Sequence, residues 1–106
     1  MPKFLIKASY TAAGAKGIQS AGGTSRRDAI AKMAEGLGGR LESFYFAFGA
    51  TDVYAIIDAP DNQTAAAASI AVNTAGGASS EVVVLLTPEE IDAAGKLSVD
   101  YQPPGS

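Results

Sequence analysis

Apolar and polar residues follow strand-like and helix-like patterns in turn along this chain. Four segments rich in Val, Ile, Phe and Tyr predict β-strands: residues 3–10, 40–48, 53–58 and 81–86. Helical periodicity, alanine-rich composition or capping residues predict helices at residues 12–21, 25–37, 65–75 and 88–94. If the first two helices form one connection, the order is β-α-β-β-α-β plus a short helix. This order indicates the α+β class and a ferredoxin-like fold with a four-stranded antiparallel sheet.

Helix boundaries are marked by residues that cap or break helices. Asp61 precedes an alanine-rich segment and is a predicted N-cap. Ser25 and Asp28 fit a capping box with aspartate in place of the usual glutamate, and Thr87 and Glu90 fit a complete one. Glycine pairs follow the first three predicted helices, where they favour helix termination.

The predicted strands are apolar on both of their faces. In the first strand, Phe4 and Ile6 alternate with Leu5. In the second strand, the alternation assigns two sets to opposite faces: Phe44, Phe46 and Phe48, and Leu41, Tyr45 and Ala47. Because two helices cover only one face of such a sheet, we expect another copy of the chain to cover the other face, in a homo-oligomer. The alternative is that the short helix and the tail fold under the sheet.

Length and charge limit the possible functions. The 106 residues suffice for one domain, which we assign to residues 1–95, with residues 96–106 as a tail that could dock on a neighbouring subunit. A net charge of −3 argues against nucleic-acid partners, and the lack of an apolar run of about 18 residues argues against a membrane span. The start of the chain lacks the pattern of a signal peptide, so we expect a cytoplasmic protein.

The chain contains no histidine and no cysteine. Histidine-based triads, thiolate catalysis and zinc-finger sites are therefore excluded, and any general acid or base must be Asp, Glu, Tyr or Lys. Three carboxylates, Asp52, Asp58 and Asp61, lie close in sequence, but the first two are at opposite ends of one predicted strand, about 20 Å apart. We expect neither a metal site nor a cofactor.

Tyrosines on the predicted sheet are the first candidate for a ligand-binding site. Tyr10, Tyr45 and Tyr54 supply polar groups on three strands, and Asp52 and Arg40 lie near strand ends. A tyrosine beside a carboxylate can orient or deprotonate an acidic organic substrate in an apolar pocket. The competing interpretation is that these tyrosines pack and form hydrogen bonds at the core edge or at an oligomer interface.

The glycine-rich segment before the second predicted helix is a candidate anion-binding site. Gly23, Thr24, Ser25, Arg26 and Arg27 combine backbone N–H groups at a helix start with two positive charges, which could hold a carboxylate or phosphate. No Gly-Lys-Ser/Thr follows, so the segment is not a P-loop. The simpler interpretation is a capped helix start with solvated or ion-paired arginines.

Several segments resemble the GYD-domain family of small bacterial proteins. They are residues 3–11, 14–17, 26–27, 37–41, 44–49, 52–54 and 59–61. Gly49 and Asp52 match the glycine and aspartate of the family name, and Thr51 stands at the position of the tyrosine. The resemblance implies two ferredoxin-like sheets packed face to face, in a dimeric α/β-barrel-type assembly. It assigns no activity.

Three hypotheses for the function follow from these features. The first is a homo-oligomer that binds a small apolar or aromatic molecule, or assembles with partners, without catalysis. The second is a cofactor-independent oxygenase or isomerase that uses Tyr and Asp in an apolar pocket. The third is a purely structural, self-assembling subunit. A closed cavity of ligand size lined by Tyr10, Tyr45 or Tyr54 would favour the first two hypotheses, and a solidly packed interface with no cavity would favour the third.

Overall fold

The structure, a computed structural model, describes residues 1–105, so Ser106 at the end of the predicted tail lies outside the described residues. Its elements are β1 (Lys3–Tyr10), α1 (Ala12–Ala21), α2 (Gly23–Gly36), β2 (Arg40–Phe46), β3 (Val53–Asp58), α3 (Asn62–Ala75), β4 (Ala78–Leu85) and α4 (Pro88–Gly95). The strands form one antiparallel sheet in the order β2-β3-β1-β4, which confirms the predicted ferredoxin-like fold. None of the described helices is long and apolar enough to cross a membrane.

α1, α2 and α3 cover one face of the sheet, which we call the covered face. Phe4 is 1% exposed there, opposite Ile57 of β3, and both pack with Ala59 and with Ala65 of α3. Alanine at the buried positions of α3 lets that helix lie close to the sheet. The prediction that Phe4 and Ile6 share one face of β1 is confirmed, because Ile6 also packs against this cluster.

The second strand differs from its prediction in two respects. A register irregularity between Leu41 and Ser43 shifts the alternation, so Leu41 pairs with Ile57 and packs on the covered face, the same face as Phe44. β2 also ends at Phe46, and Phe48 lies fully exposed in the following loop. The predictions that Leu41 faces away from Phe44 and that the strand continues to Phe48 are both wrong.

The start of α2 is also different. Gly22, with φ of 93°, ends α1 through its N–H bond to Ile18 O, and it is also the N-cap of α2. A positive φ at glycine allows this sharp corner between the two helices. Ser25 therefore lies inside the first turn, and the predicted Ser25–Asp28 capping box is wrong. The N-caps at Asp61 and Thr87 are confirmed, the latter with its full capping box.

The other face of the sheet, the open face, carries no helix among the described residues. Rows of paired residues cross it in the order β2, β3, β1 and β4. The three rows are Arg40, Asp58, Lys3 and Leu85; Ser43, Ile56, Leu5 and Val83; Tyr45, Tyr54, Lys7 and Glu81. The middle row is almost entirely apolar, and charges occupy the rows on either side. The expectation that both sheet faces are apolar is thus confirmed at the centre of the open face.

The C-terminal segment extends away from the sheet. We call residues 88–105 the arm; every residue in it is exposed, including Leu97 at 72%, Val99 at 77% and Tyr101 at 69%. The radius of gyration is 16.9 Å, above the roughly 13 Å expected for a compact chain of about 100 residues. The arm therefore does not cover the open face of its own chain.

Candidate functional site

A groove lies between the helices on the covered side of the sheet. α1 and α2 form one wall, α3 forms the other, and residues at the paired ends of β1 and β4 form the floor. Its volume is about 570 Å³, and its largest apolar lining residues are Ile18, Ile30, Met33 and Val72. The groove is large and apolar enough to hold a small organic molecule.

The groove follows from the strand order and from small residues. α2 packs on β2 and α3 packs on β4, and these are the two edge strands of the sheet. Three strand spacings separate the edges by about 14 Å, whereas helices in direct contact lie about 8–10 Å apart. Gly17, Ala71 and Ala75 line the walls, and their side chains are too short to close this gap.

Among residues 1–105, Arg26 is the only charged residue that lines the groove. Its Nε is buried and has no hydrogen-bond partner in the part of the chain that the structure describes. Tyr10 and Ser25 line the groove as well and contribute hydroxyl groups. No aspartate or glutamate within residues 1–105 belongs to the lining. The site combines an apolar body with one cationic group and two hydroxyls.

The predicted tyrosine site is divided between the two faces of the sheet. Tyr10 is on the covered face, opposite Ala78, and lines the groove. Tyr45 and Tyr54 are cross-strand partners on the open face, and both are exposed. Asp52 accepts a hydrogen bond from the Tyr10 backbone N–H at 2.9 Å, so its carboxylate connects the β2–β3 loop to the end of β1. The structure thus joins Tyr10 with Asp52 through the backbone and keeps it apart from the other tyrosines.

The predicted anion-binding segment is also divided. Ser25 and Arg26 line the groove, whereas Thr24 and Arg27 are exposed outside its lining. Arg27 pairs with Asp28 at 3.2 Å on the surface. Gly23 packs against the ring of Phe46, where a Cβ would lie 2.9 Å from the nearest ring carbon. Gly23 therefore has a packing role. Of the two arginines, Arg26 lines the groove and is the one that can contact a ligand there.

Arg40, the remaining predicted site residue, belongs to a charged cluster on the open face. Its Nη2 donates to Asp58 Oδ2 at 3.1 Å, and Lys3 Nζ donates to Asp58 Oδ1 at 2.8 Å and to Glu42 Oε1 at 2.9 Å. The hydrogen bond from Lys3 lowers the pKa of Asp58, and the bond from Arg40 adds to this effect against the opposing effect of burial. The cluster therefore places two cations and two anions beside the apolar row of the open face.

The three carboxylates considered for a metal site lie in different places. Asp52 binds a backbone N–H, Asp58 pairs with two cations, and Asp61 caps α3. Asp61 Oδ1 accepts hydrogen bonds from the hydroxyl and the N–H of Thr64, which lower the pKa of Asp61. No group of three potential metal ligands occurs within residues 1–105.

The wall formed by α3 was missed by reasoning from the sequence. The alanine run of this helix indicates close packing on the sheet, which holds for Ala65 and Ala68. Ala71 and Ala75, further along the helix, instead line the groove. A signal was present, since Gly17 and Ala21 of α1 are similarly small and also line the groove. Small residues on two helices can indicate a gap between them as well as close packing.

Comparison with known proteins identifies a family and no individual relative. The GYD domain family model matches residues 4–94. The match includes all four strands, apart from the first residue of β1, and all of α4 apart from its last residue. No curated protein and no solved structure matches the chain. The match covers most of the 106 residues, and the four-stranded sheet agrees with the resemblance found in the sequence. The chain belongs to the GYD domain family.

Proposed function

We propose that the protein is a homo-oligomer that binds a small apolar or aromatic molecule in the groove between its helices. The groove itself carries this proposal. Its volume of about 570 Å³ lies within the range of about 300–1,000 Å³ typical of small-molecule sites. Its lining includes no carboxylate from the described residues that could act as a general base beside Tyr10, so its chemistry favours binding over acid–base catalysis.

The charge pattern of the open face supports assembly of two copies, sheet against sheet. Around its apolar row lie three cations and three anions, which are Lys3, Lys7, Arg40, Glu42, Asp58 and Glu81. A two-fold interface brings a surface against itself, so it requires a surface that is self-complementary. A face with balanced charges around an apolar centre meets this requirement better than a face with charges of one sign.

The area of the open face gives the arm a role in this proposed assembly. Four strands about 4.8 Å apart, each about seven residues long, present a face of roughly 450 Å². Two such faces bury roughly 900 Å², less than the about 1,200 Å² at the lower limit for a stable interface. Leu97, Val99 and Tyr101 on each arm supply further apolar area if the arm docks on the partner chain.

Binding in the groove is tested by NMR titration of the ¹⁵N-labelled protein with 4-phenylbutan-1-ol, a small aromatic probe. We expect saturable shifts in residues of α1, α2 and α3 that line the groove. Ala71→Phe fills the groove and removes these shifts, whereas Ala67→Phe, one turn earlier on α3 and outside the lining, keeps them. Shifts spread over the whole surface, or equal shifts in both variants, would contradict the proposed site.

Assembly is tested by native mass spectrometry and by light scattering at several protein concentrations. We expect twice the chain mass of 10.7 kDa at micromolar concentration. Val83→Glu buries a charge in the apolar row and should weaken the dimer at least about a hundredfold. Ile70→Glu, at an exposed apolar position of α3, is the matched control and should keep the dimer. A wild-type protein that stays monomeric across this range contradicts the proposal.

A further inference from the structure

We infer that the groove selects a small organic acid, an aromatic or aliphatic monocarboxylate whose carboxylate binds Arg26. This inference rests on the proposed function, because it names the ligand class of the same groove. The apolar body of the acid lies against aliphatic side chains such as Ile30, Met33 and Val72. Its charged end meets Arg26, the only charged residue that the described part of the chain contributes to the lining.

Arg26 carries this inference because it differs from the neighbouring Arg27. Arg27 is exposed and pairs with Asp28 through Nε and Nη2. Arg26 is half-buried and lines the groove, and its buried Nε has no partner in residues 1–105. A guanidinium that lies in a largely apolar lining without a partner is costly, and an anion bound in the groove offsets that cost through a charge-assisted hydrogen bond to the guanidinium.

The composition of the lining favours a monocarboxylate over a phosphate. A phosphate dianion requires several donors and usually more than one cation. The groove offers one guanidinium, with the hydroxyls of Tyr10 and Ser25 as additional donors, and the rest of its lining is glycine, alanine or larger apolar residues. A single negative charge on an apolar molecule matches this set of groups.

The inference is tested by comparing two probes of similar shape in the full-length protein. 4-Phenylbutanoate carries a carboxylate, and 4-phenylbutan-1-ol is its neutral counterpart. We expect the acid to bind at least about tenfold more tightly in NMR titrations, with shifts in the residues lining the groove. Arg26→Met should reduce the affinity for the acid to about that for the alcohol.

Two further variants separate a role in binding from a role in folding. Arg27→Met changes the adjacent, surface-paired arginine and should leave both affinities within about twofold. Arg26→Lys keeps the charge and should retain most of the preference for the acid. If Arg26→Met loses the dispersed spectrum of a folded protein, the comparison of acid and alcohol in the wild type still tests the ligand class.

Each other outcome overturns the inference and has a distinct meaning. Equal affinities for acid and alcohol would rule out the inferred preference for carboxylates, whereas the proposed binding of small molecules in the groove would still hold. Tighter binding of phenyl phosphate than of the acid assigns the groove to phosphorylated ligands. If neither probe binds, the proposed function fails as well. Intermolecular NOEs from Leu97 or Val99 to Ile30 would identify the arm of a second copy as the occupant of the groove.

Discussion

The two faces of the sheet have apolar centres, and they differ in the residues around those centres. On the covered face, paired residues such as Phe4 and Ile57, or Ile6 and Ala55, carry no charge. On the open face, charged residues occupy the rows on both sides of the apolar row that contains Leu5. Helices can pack closely only on uncharged and often small residues, because a buried unpaired charge is costly. Charge placement, more than apolar content, distinguishes the face that helices cover.

The largest difference between the faces should appear when adjacent residues of β1 are truncated. Phe4→Ala removes a side chain that is 1% exposed and should lower the free energy of unfolding by about 3–5 kcal/mol. Leu5→Ala acts on the half-buried open face and should cost about 1 kcal/mol in dilute solution. Urea unfolding at low protein concentration measures both values.

The same pair of variants also tests the proposed assembly. If two open faces pack together, the cost of Leu5→Ala should increase with protein concentration, because dimer formation stabilises the folded chain. The cost of Phe4→Ala should depend less on concentration, since Phe4 is already buried within one chain. If Phe4→Ala and Leu5→Ala lower the free energy of unfolding by similar amounts in dilute solution, the two faces do not differ in burial as described.

An intermediate effect is expected at the charged edge of the open face. The pKa of Asp58 lies below its ordinary value, chiefly because Lys3 donates a hydrogen bond to it. Its stabilising contribution is therefore complete above the unfolded-state pKa of about 3.9 and is lost as the pH falls through the lower folded-state value. The free energy of unfolding should consequently decrease below about pH 4.

Asp58→Asn should remove part of this acid dependence and cost about 1–2 kcal/mol at pH 7. The remaining acid dependence includes Asp61, whose pKa is also lowered, by its hydrogen bonds with Thr64. Asp28→Asn is the control, because Asp28 forms an exposed pair with Arg27 and should change stability by less than about 0.5 kcal/mol. Urea unfolding between pH 2.5 and 7 compares the variants. If Asp58→Asn loses as much stability at low pH as the wild type does, the acid dependence does not come from Asp58.

The sequence predicts the strands, helices and topology because their signals are local. Alternation in β1 assigned Phe4 and Ile6 to one face, and the capping box at Thr87 marked the start of α4. The irregularity after Leu41 escaped prediction because one extra residue in a strand reverses the alternation without any change in composition. Gly22 was interpreted as a helix breaker, although with positive φ it also begins the next helix.

The candidate site was less predictable because it depends on distances between elements. The sequence singled out Tyr10 and Arg26, and the structure brings both to the groove. The sequence also grouped Tyr10 with Tyr54 in one site. This grouping fails, because the pairing of β1 with β3 puts Tyr54 opposite Lys7 on the open face, whereas Tyr10 lies on the covered face. The gap between α2 and α3 arises from the positions of β2 and β4 at the sheet edges, which no local pattern encodes.

The smallest effect on folding is expected from the arm, which packs on neither face of its own chain. A chain ending at Gly95 loses Leu97, Val99 and Tyr101, all of which are more than two-thirds exposed at 72%, 77% and 69%. Its free energy of unfolding in dilute solution should stay within about 0.5 kcal/mol of the full-length value, because residues 96–105 are all exposed. A loss of several kcal/mol would mean that the arm packs on its own sheet after all.

The effect of this truncation on assembly should be larger than its effect on folding. If the arms supply the area that two open faces lack, the dissociation constant measured by light scattering should increase at least about tenfold. Replacing Leu97, Val99 and Tyr101 together with serine keeps the length of the arm and should have a similar effect, which separates apolar contact from chain length. An unchanged dissociation constant in both variants would assign the whole interface to the sheet and leave the arm without a role in the dimer.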